Sequence, residues 1–101
     1  MRLLGGTRSA HFVGVGGSGM SPLAEVLLRR GVRVSGSDLQ ASAASDRLVE
    51  LGLTFFAGHE AAHVGDVDLV VRSSAVAMDN PEIAEAERRG IPIVARGELL
   101  A

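Results

Sequence analysis

The stretch His11-Phe12-Val13-Gly14-Val15-Gly16-Gly17-Ser18-Gly19-Met20-Ser21 decides how this chain folds. A short apolar run passes into G-x-G-x-x-G, formed by Gly14, Gly16 and Gly19, and then into a segment of helical periodicity. That order suits phosphate binding. Glycines let the backbone turn tightly and approach an anion with no Cβ in the way, and the first N–H groups of the following helix face it. Asp38 ends a second strand-like run, where folds of this kind set an acid against a nucleotide ribose. The alternative is a tight turn in which glycine serves packing alone and Asp38 caps the next segment.

Outward from that stretch, strand and helix alternate with little slack. Residues 11–15 read as a buried strand and residues 18–30 as a helix, with Met20, Leu23, Ala24, Leu27 and Leu28 forming one apolar stripe. Gly31 stops that helix. A second strand covers residues 32–36 and ends at Ser37-Asp38. A helix over residues 43–51 buries Leu48 and Leu51, and a third strand spans 53–56. The fourth strand, 67–71, runs into Arg72-Ser73-Ser74. Asn80 as N-cap and Pro81 at the first helical position open a helix to Arg89, which Gly90 closes. Residues 91–94 form a fifth strand whose Pro92 suits an edge or a strand start, and a further helix begins at Gly97.

Strands joined by helices of this length pair in parallel through right-handed crossovers. The expected fold is α/β: a Rossmann-like open parallel sheet of about five strands, order 3-2-1-4-5, with helices on both faces, in one domain over residues 1–101. Ligands of such sheets bind beyond the carboxyl ends of the strands at the topological switch, here between the first and fourth. The glycine loop, Ser37-Asp38 and Ser73-Ser74-Ala75 all lie at such ends. Ser73 and Ser74 could equally satisfy nearby backbone groups.

A chain of 101 residues allows one modest core. A hydrophobic fraction of 47% and a net charge of −2 give no sign of a nucleic-acid or membrane-surface partner. No run approaches the roughly 18 apolar residues of a membrane span, and residues 1–6 are too short and weakly apolar for a signal peptide. The absence of cysteine is consistent with a reducing cytoplasm. All the basic residues are arginine. The pairs Arg29-Arg30 and Arg88-Arg89 fall in the last turns of two helices, where they complement the macrodipole and read as solvated.

His59-Glu60-Ala61-Ala62-His63 has the H-E-x-x-H spacing that sets two imidazoles on one helical face around zinc. It occupies a short connector between Gly58 and Gly65, too short for the helix such ligands need. Glu82, at a distance suited to a third ligand, falls in the first turn of another helix, where acids are favoured for dipole reasons. No metal is expected. His11 reads as structural.

The run HFVGVGGSGMSPLAEVLLRRGVRVSGSD, followed by RLVELG, Gly58-His59, SSAV at residues 73–76 and DNPEIAEAERRGIPIVARGELLA, resembles the opening of the Mur ligases of bacterial peptidoglycan synthesis. The resemblance is to the branch that adds L-alanine to UDP-N-acetylmuramate, and it covers residues 10–101. It implies the UDP-binding domain of a larger cytoplasmic ligase of cell-wall synthesis, with the remaining ligase domains as partners in cis. On that resemblance Gly16, Gly17, Ser18, Gly19, Met20 and Ser21 hold the diphosphate. Asp38, His59, Ser73, Ser74 and Ala75 approach the uridine, and no catalytic residue or cofactor belongs to this stretch.

The resemblance also implies ATP and Mg2+ for the full-length enzyme. Their phosphate loop needs a lysine, which this chain lacks, so the chain alone is expected to be inactive. Pro22 and Gly97 stand where the family pattern has Gly and Ala, and Arg72 replaces an apolar or small residue. Three alternatives stand beside this one: the NAD-binding half of a dehydrogenase, a related murein-peptide ligase, and a non-catalytic nucleotide-sensing domain. The glycines and Asp38 alone would serve a dehydrogenase equally well. Met20-Ser21 and the DNPE block favour the ligase.

Overall fold

In the computed structural model, which describes residues 6–99, the strands are β1 (Ser9–Val13), β2 (Arg33–Asp38), β3 (Thr54–Ala57), β4 (Leu69–Arg72) and β5 (Ile93–Ala95). They form one parallel sheet in the order β3-β2-β1-β4-β5, the Rossmann-like order expected. β1 is central and buried throughout. Its last residue, Val13, stands opposite Ser37 on one side and Arg72 on the other, so the carboxyl ends of three strands meet.

Helices α1 (Met20–Arg29) and α2 (Ala43–Glu50) cover one face. The stripe Met20, Leu23, Ala24 and Leu27 packs with Leu48 against Phe12, Val34 and Val71. Full burial of a side chain such as Leu27 or Leu48 contributes about 2 kcal/mol. On the other face α3 (Pro81–Arg89) sets Ile83 and Ala86 against Val13 and Val70, beside a single 3-10 turn (Ala61–His63). A short α4 (Arg96–Leu99) ends the described chain.

Local chemistry fixes the helix ends. Ser42 Oγ accepts from the Ser45 N–H while Ser45 Oγ accepts from the Ser42 N–H, a reciprocal cap on α2. Asn80 Oδ1 accepts from the Glu82 N–H at 2.9 Å, Pro81 takes the first turn, and Gly90 closes α3 as expected.

Several boundaries differ from the sequence expectation. β1 runs from Ser9 to Val13 rather than over 11–15, because Gly14 at φ 84° turns the chain and both the Gly14 and Val15 N–H groups donate to Ser37 O. α1 starts at Met20 rather than residue 18, because Gly19 at φ 79° is left-handed. The helix expected from Gly97 begins at Arg96, and residues 100–101 lie outside the described residues. β5 is one edge of the sheet and Pro92 immediately precedes it. Arg89 is not simply solvated: it donates to Val64 O at 2.8 Å and Gly65 O at 3.1 Å, tying the 3-10 turn to the end of α3.

Candidate nucleotide site

The carboxyl ends of β1, β2 and β4 enclose a cleft of about 330 Å³. Gly14 and Gly17 line it from the glycine loop, Asp38 and Leu39 from the end of β2, His59 from the connector after β3, and Ser73 and Ala75 from the turn after β4. Past Ser73 lies a second hollow of about 350 Å³, lined by Ser18, Met20, Ser74 and Arg96 among others. Ser73 belongs to both and forms the wall between them. Gly16, Gly19 and Ser21 sit in the loop and first helical turn and line neither.

The glycine loop is held tightly by its own backbone. Gly17 N–H donates to Gly14 O and Met20 N–H to Gly17 O, each at 3.0 Å. Gly16 N–H donates to Asp38 Oδ2 at 2.9 Å, and Asp38 Oδ1 accepts from the Leu39 N–H, so Asp38 braces the loop from the neighbouring strand. Met20 is fully buried and its side chain belongs to the core. The N–H groups of Ser18 and Gly19 meet no acceptor among the described residues. They remain as donors at the positive end of α1, with the Arg96 guanidinium beside them, its Nε donating to Gly19 O at 3.2 Å. An anion placed there would meet free N–H groups and a cation. Ser73 N–H donates to Val13 O, and Ser73 Oγ accepts from the Ala75 N–H, which fixes the turn facing the loop.

Beneath the cleft lies a buried polar cluster centred on Glu82. Glu82 Oε1 accepts from Ser37 Oγ and from His11 Nε2, both at 2.6 Å. Oε2 accepts from His63 Nδ1 at 2.9 Å and from the Glu60 N–H at 3.1 Å, and His59 Nδ1 stands 3.4 Å away. Ser35 Oγ meets the other nitrogen of His11 at 2.7 Å. Burial pushes the Glu82 carboxyl upward, but the hydrogen bonds from His11, Ser37 and His63 outweigh it and hold the pKa at about 2, below the ordinary 4.5. Glu82 is therefore an ionised carboxylate with its acceptor sites filled.

The sequence reading gave Glu82 only a dipole role, and the structure corrects this: the residue does open α3, but its side chain turns inward. A signal for it existed. His11, Ser35 and Ser37 are polar at positions that fall on one face of two adjoining inner strands, where apolar residues are the rule, and buried polar groups require partners. His11 is structural, as expected. The H-E-x-x-H segment forms no α-helix, only the 3-10 turn over its last three residues. Its two imidazoles flank Glu82, and His63 also stacks on Phe56 with ring centroids 4.4 Å apart. Among the described residues no group of three or more His, Asp or Glu side chains is placed to hold a metal ion.

Residues 9–101 match the family model described as Mur ligase family, catalytic domain. The chain belongs to the Mur ligase family. This Mur ligase chain is 58% identical over 91 residues to the UDP-N-acetylmuramate–L-alanine ligase of Cereibacter sphaeroides, a match covering 90% of this chain and 19% of the relative. The crystal structure of UDP-N-acetylmuramate–alanine ligase from Thermotoga maritima superposes with a TM-score of 0.87 at 38% identity, over 91% of this chain and 21% of that one. A murein peptide ligase from Psychrobacter arcticus superposes with a TM-score of 0.84 at 27% identity, over 92% of this chain and 20% of that one. The chain thus spans about a fifth of the length of the curated relatives it matches.

Proposed function

We propose that this Mur ligase chain is the UDP-binding domain of a UDP-N-acetylmuramate–L-alanine ligase of peptidoglycan synthesis. The observation that carries this reading is the pair of unmatched N–H groups, Ser18 and Gly19, at the start of α1 beside a cleft walled by Asp38, His59 and Ser73. The diphosphate would lie against the loop spanning residues 16–21, and the uridine in the cleft. Asp38 already accepts from two backbone N–H groups, yet a carboxylate offers about four lone-pair sites and can still take ribose hydroxyls. Higher identity to the alanine-adding ligases than to the murein peptide ligase supports the choice between the two.

In this reading the chain's own residues bind and orient. Holding the non-reacting nucleotide end supplies binding energy that presents the far carboxyl to the rest of the enzyme. The residues present do not fit a lysine-bearing ATP phosphate loop, since the sequence has no lysine. A cytoplasmic location goes with this role. Among the described residues no helix is long and apolar enough to cross a membrane.

Thermal unfolding with UDP-N-acetylmuramate, UDP, NAD and ATP tests the proposal. A ligand that binds only the folded chain stabilises it by RT ln(1 + [L]/Kd). The two uridine ligands should raise the midpoint and NAD and ATP much less. A larger shift with NAD would overturn the ligase reading in favour of a dehydrogenase coenzyme domain.

A further inference from the structure

Ser37 has a single hydroxyl proton. The Glu82 carboxylate, 2.6 Å away, takes it, because an ionised carboxylate can only accept. Ser37 Oγ can then meet His59 Nδ1, 3.1 Å away, only as an acceptor, so Nδ1 carries the proton of the neutral ring. The second carboxylate oxygen, 3.4 Å from the same nitrogen, reinforces that assignment. His59 Nε2 has no partner among the described residues. Among the described residues no buried side-chain nitrogen or oxygen lacks one, so Nε2 must be open to solvent, and the ring lines the cleft.

We propose that Glu82, acting through Ser37, is a positioning residue that fixes His59 as its Nδ1–H tautomer, so that Nε2 accepts a hydrogen bond from a donor on the nucleoside. This rests on the UDP reading of the cleft. The donor is a ring imide N–H or a ribose hydroxyl. With Asp38 also acceptor-only, that end of the cleft selects ligands that bring donors to it and rejects those that bring a lone pair.

The test begins with the ligand-free chain at about pH 8.5, above the ordinary imidazole range. Long-range ¹H–¹⁵N correlation should show His59 Nδ1 as the protonated, pyrrole-type nitrogen and Nε2 as pyridine-type. In Glu82→Gln the amide places N–H donors against Ser37 or His59, and the Nε2–H form should gain. Calorimetric titration with UDP, N3-methyl-UDP and 2′,3′-dideoxy-UDP then locates the donor. His59→Phe should weaken UDP about three- to tenfold, the worth of one net hydrogen bond. It should leave unchanged the affinity of whichever analogue lacks the accepted donor.

An Nε2–H ring in the free wild-type chain overturns the proposal, whatever UDP does. So does unchanged UDP affinity in His59→Phe, which would leave the UDP reading intact. An unshifted tautomer in folded Glu82→Gln removes Glu82 from the positioning role. Should that variant not fold, the wild-type tautomer and the His59→Phe titrations decide. No binding of UDP to the wild-type chain would instead sink the UDP reading, and the nucleoside donor with it.

Discussion

Glu82→Gln removes one buried charge with little change of shape, and its effect on stability should depend on pH in a defined window. The folded-state pKa of Glu82, about 2, lies below the ordinary 4.5 because hydrogen bonds from His11, Ser37 and His63 outweigh burial. A depressed pKa contributes stability that is fully present above the unfolded value and is lost as pH falls through the folded one. The interval between those values corresponds to about 3 kcal/mol, a large share of the roughly 5–15 kcal/mol that holds a domain together. Urea unfolding of wild type and Glu82→Gln should therefore be compared at several pH values from about 6 to 2. The gap between them should narrow by about 3 kcal/mol, most of it below the ordinary carboxyl value. Glu25 and Glu85, whose exposed arginine partners also lower their pKa values, titrate alike in both proteins and cancel. A gap that stays constant across it would refute the claim that the cluster holds Glu82 ionised.

Gly17→Val should weaken UDP at least about tenfold, roughly 1.4 kcal/mol, with the circular dichroism spectrum unchanged. A Cβ there would already lie 3.2 Å from Gly14 O and 3.5 Å from Ser73 Oγ, so the branched methyls must enter the cleft. Full affinity with intact folding would make the loop a packing turn only. Gly36→Ala should cost about 1–3 kcal/mol of stability, because its Cβ would stand 2.7 Å from Val15 Cβ with no flexible side-chain end to yield. An unchanged urea midpoint would refute that close approach.

The sheet order was legible because it follows from the alternation of strands and helices together with the handedness of crossovers, and neither depends on which side chains meet. The ends of α3 were legible for a similar reason: Asn80, Pro81 and Gly90 act through their own backbone neighbours. Legibility failed first by a residue or two at the glycine loop. There, the left-handed angles of Gly14 and Gly19 ended β1 early and delayed α1, and several conformations are open to glycine at such positions.

It failed further at Glu82, whose partner His11 lies 71 residues away in the chain. Local rules gave that acid a sufficient role at a helix N-terminus, so nothing in its own neighbourhood asked for another. The H-E-x-x-H spacing misleads for the complementary reason. It sets two imidazoles on one helical face for a metal only if the segment is an α-helix. Here the chain takes a 3-10 turn, and the imidazoles converge instead on a carboxylate supplied by α3. The polar residues that look out of place one at a time (His11, Ser35, Ser37, His59, His63 and Glu82) form one hydrogen-bonded network around the Glu82 carboxylate, with His59 on its cleft side. Local patterning is expected to fail where function or strain overrides it. His59, which lines the cleft, and Glu82, which reaches His59 through Ser37, are therefore the residues to mutate first.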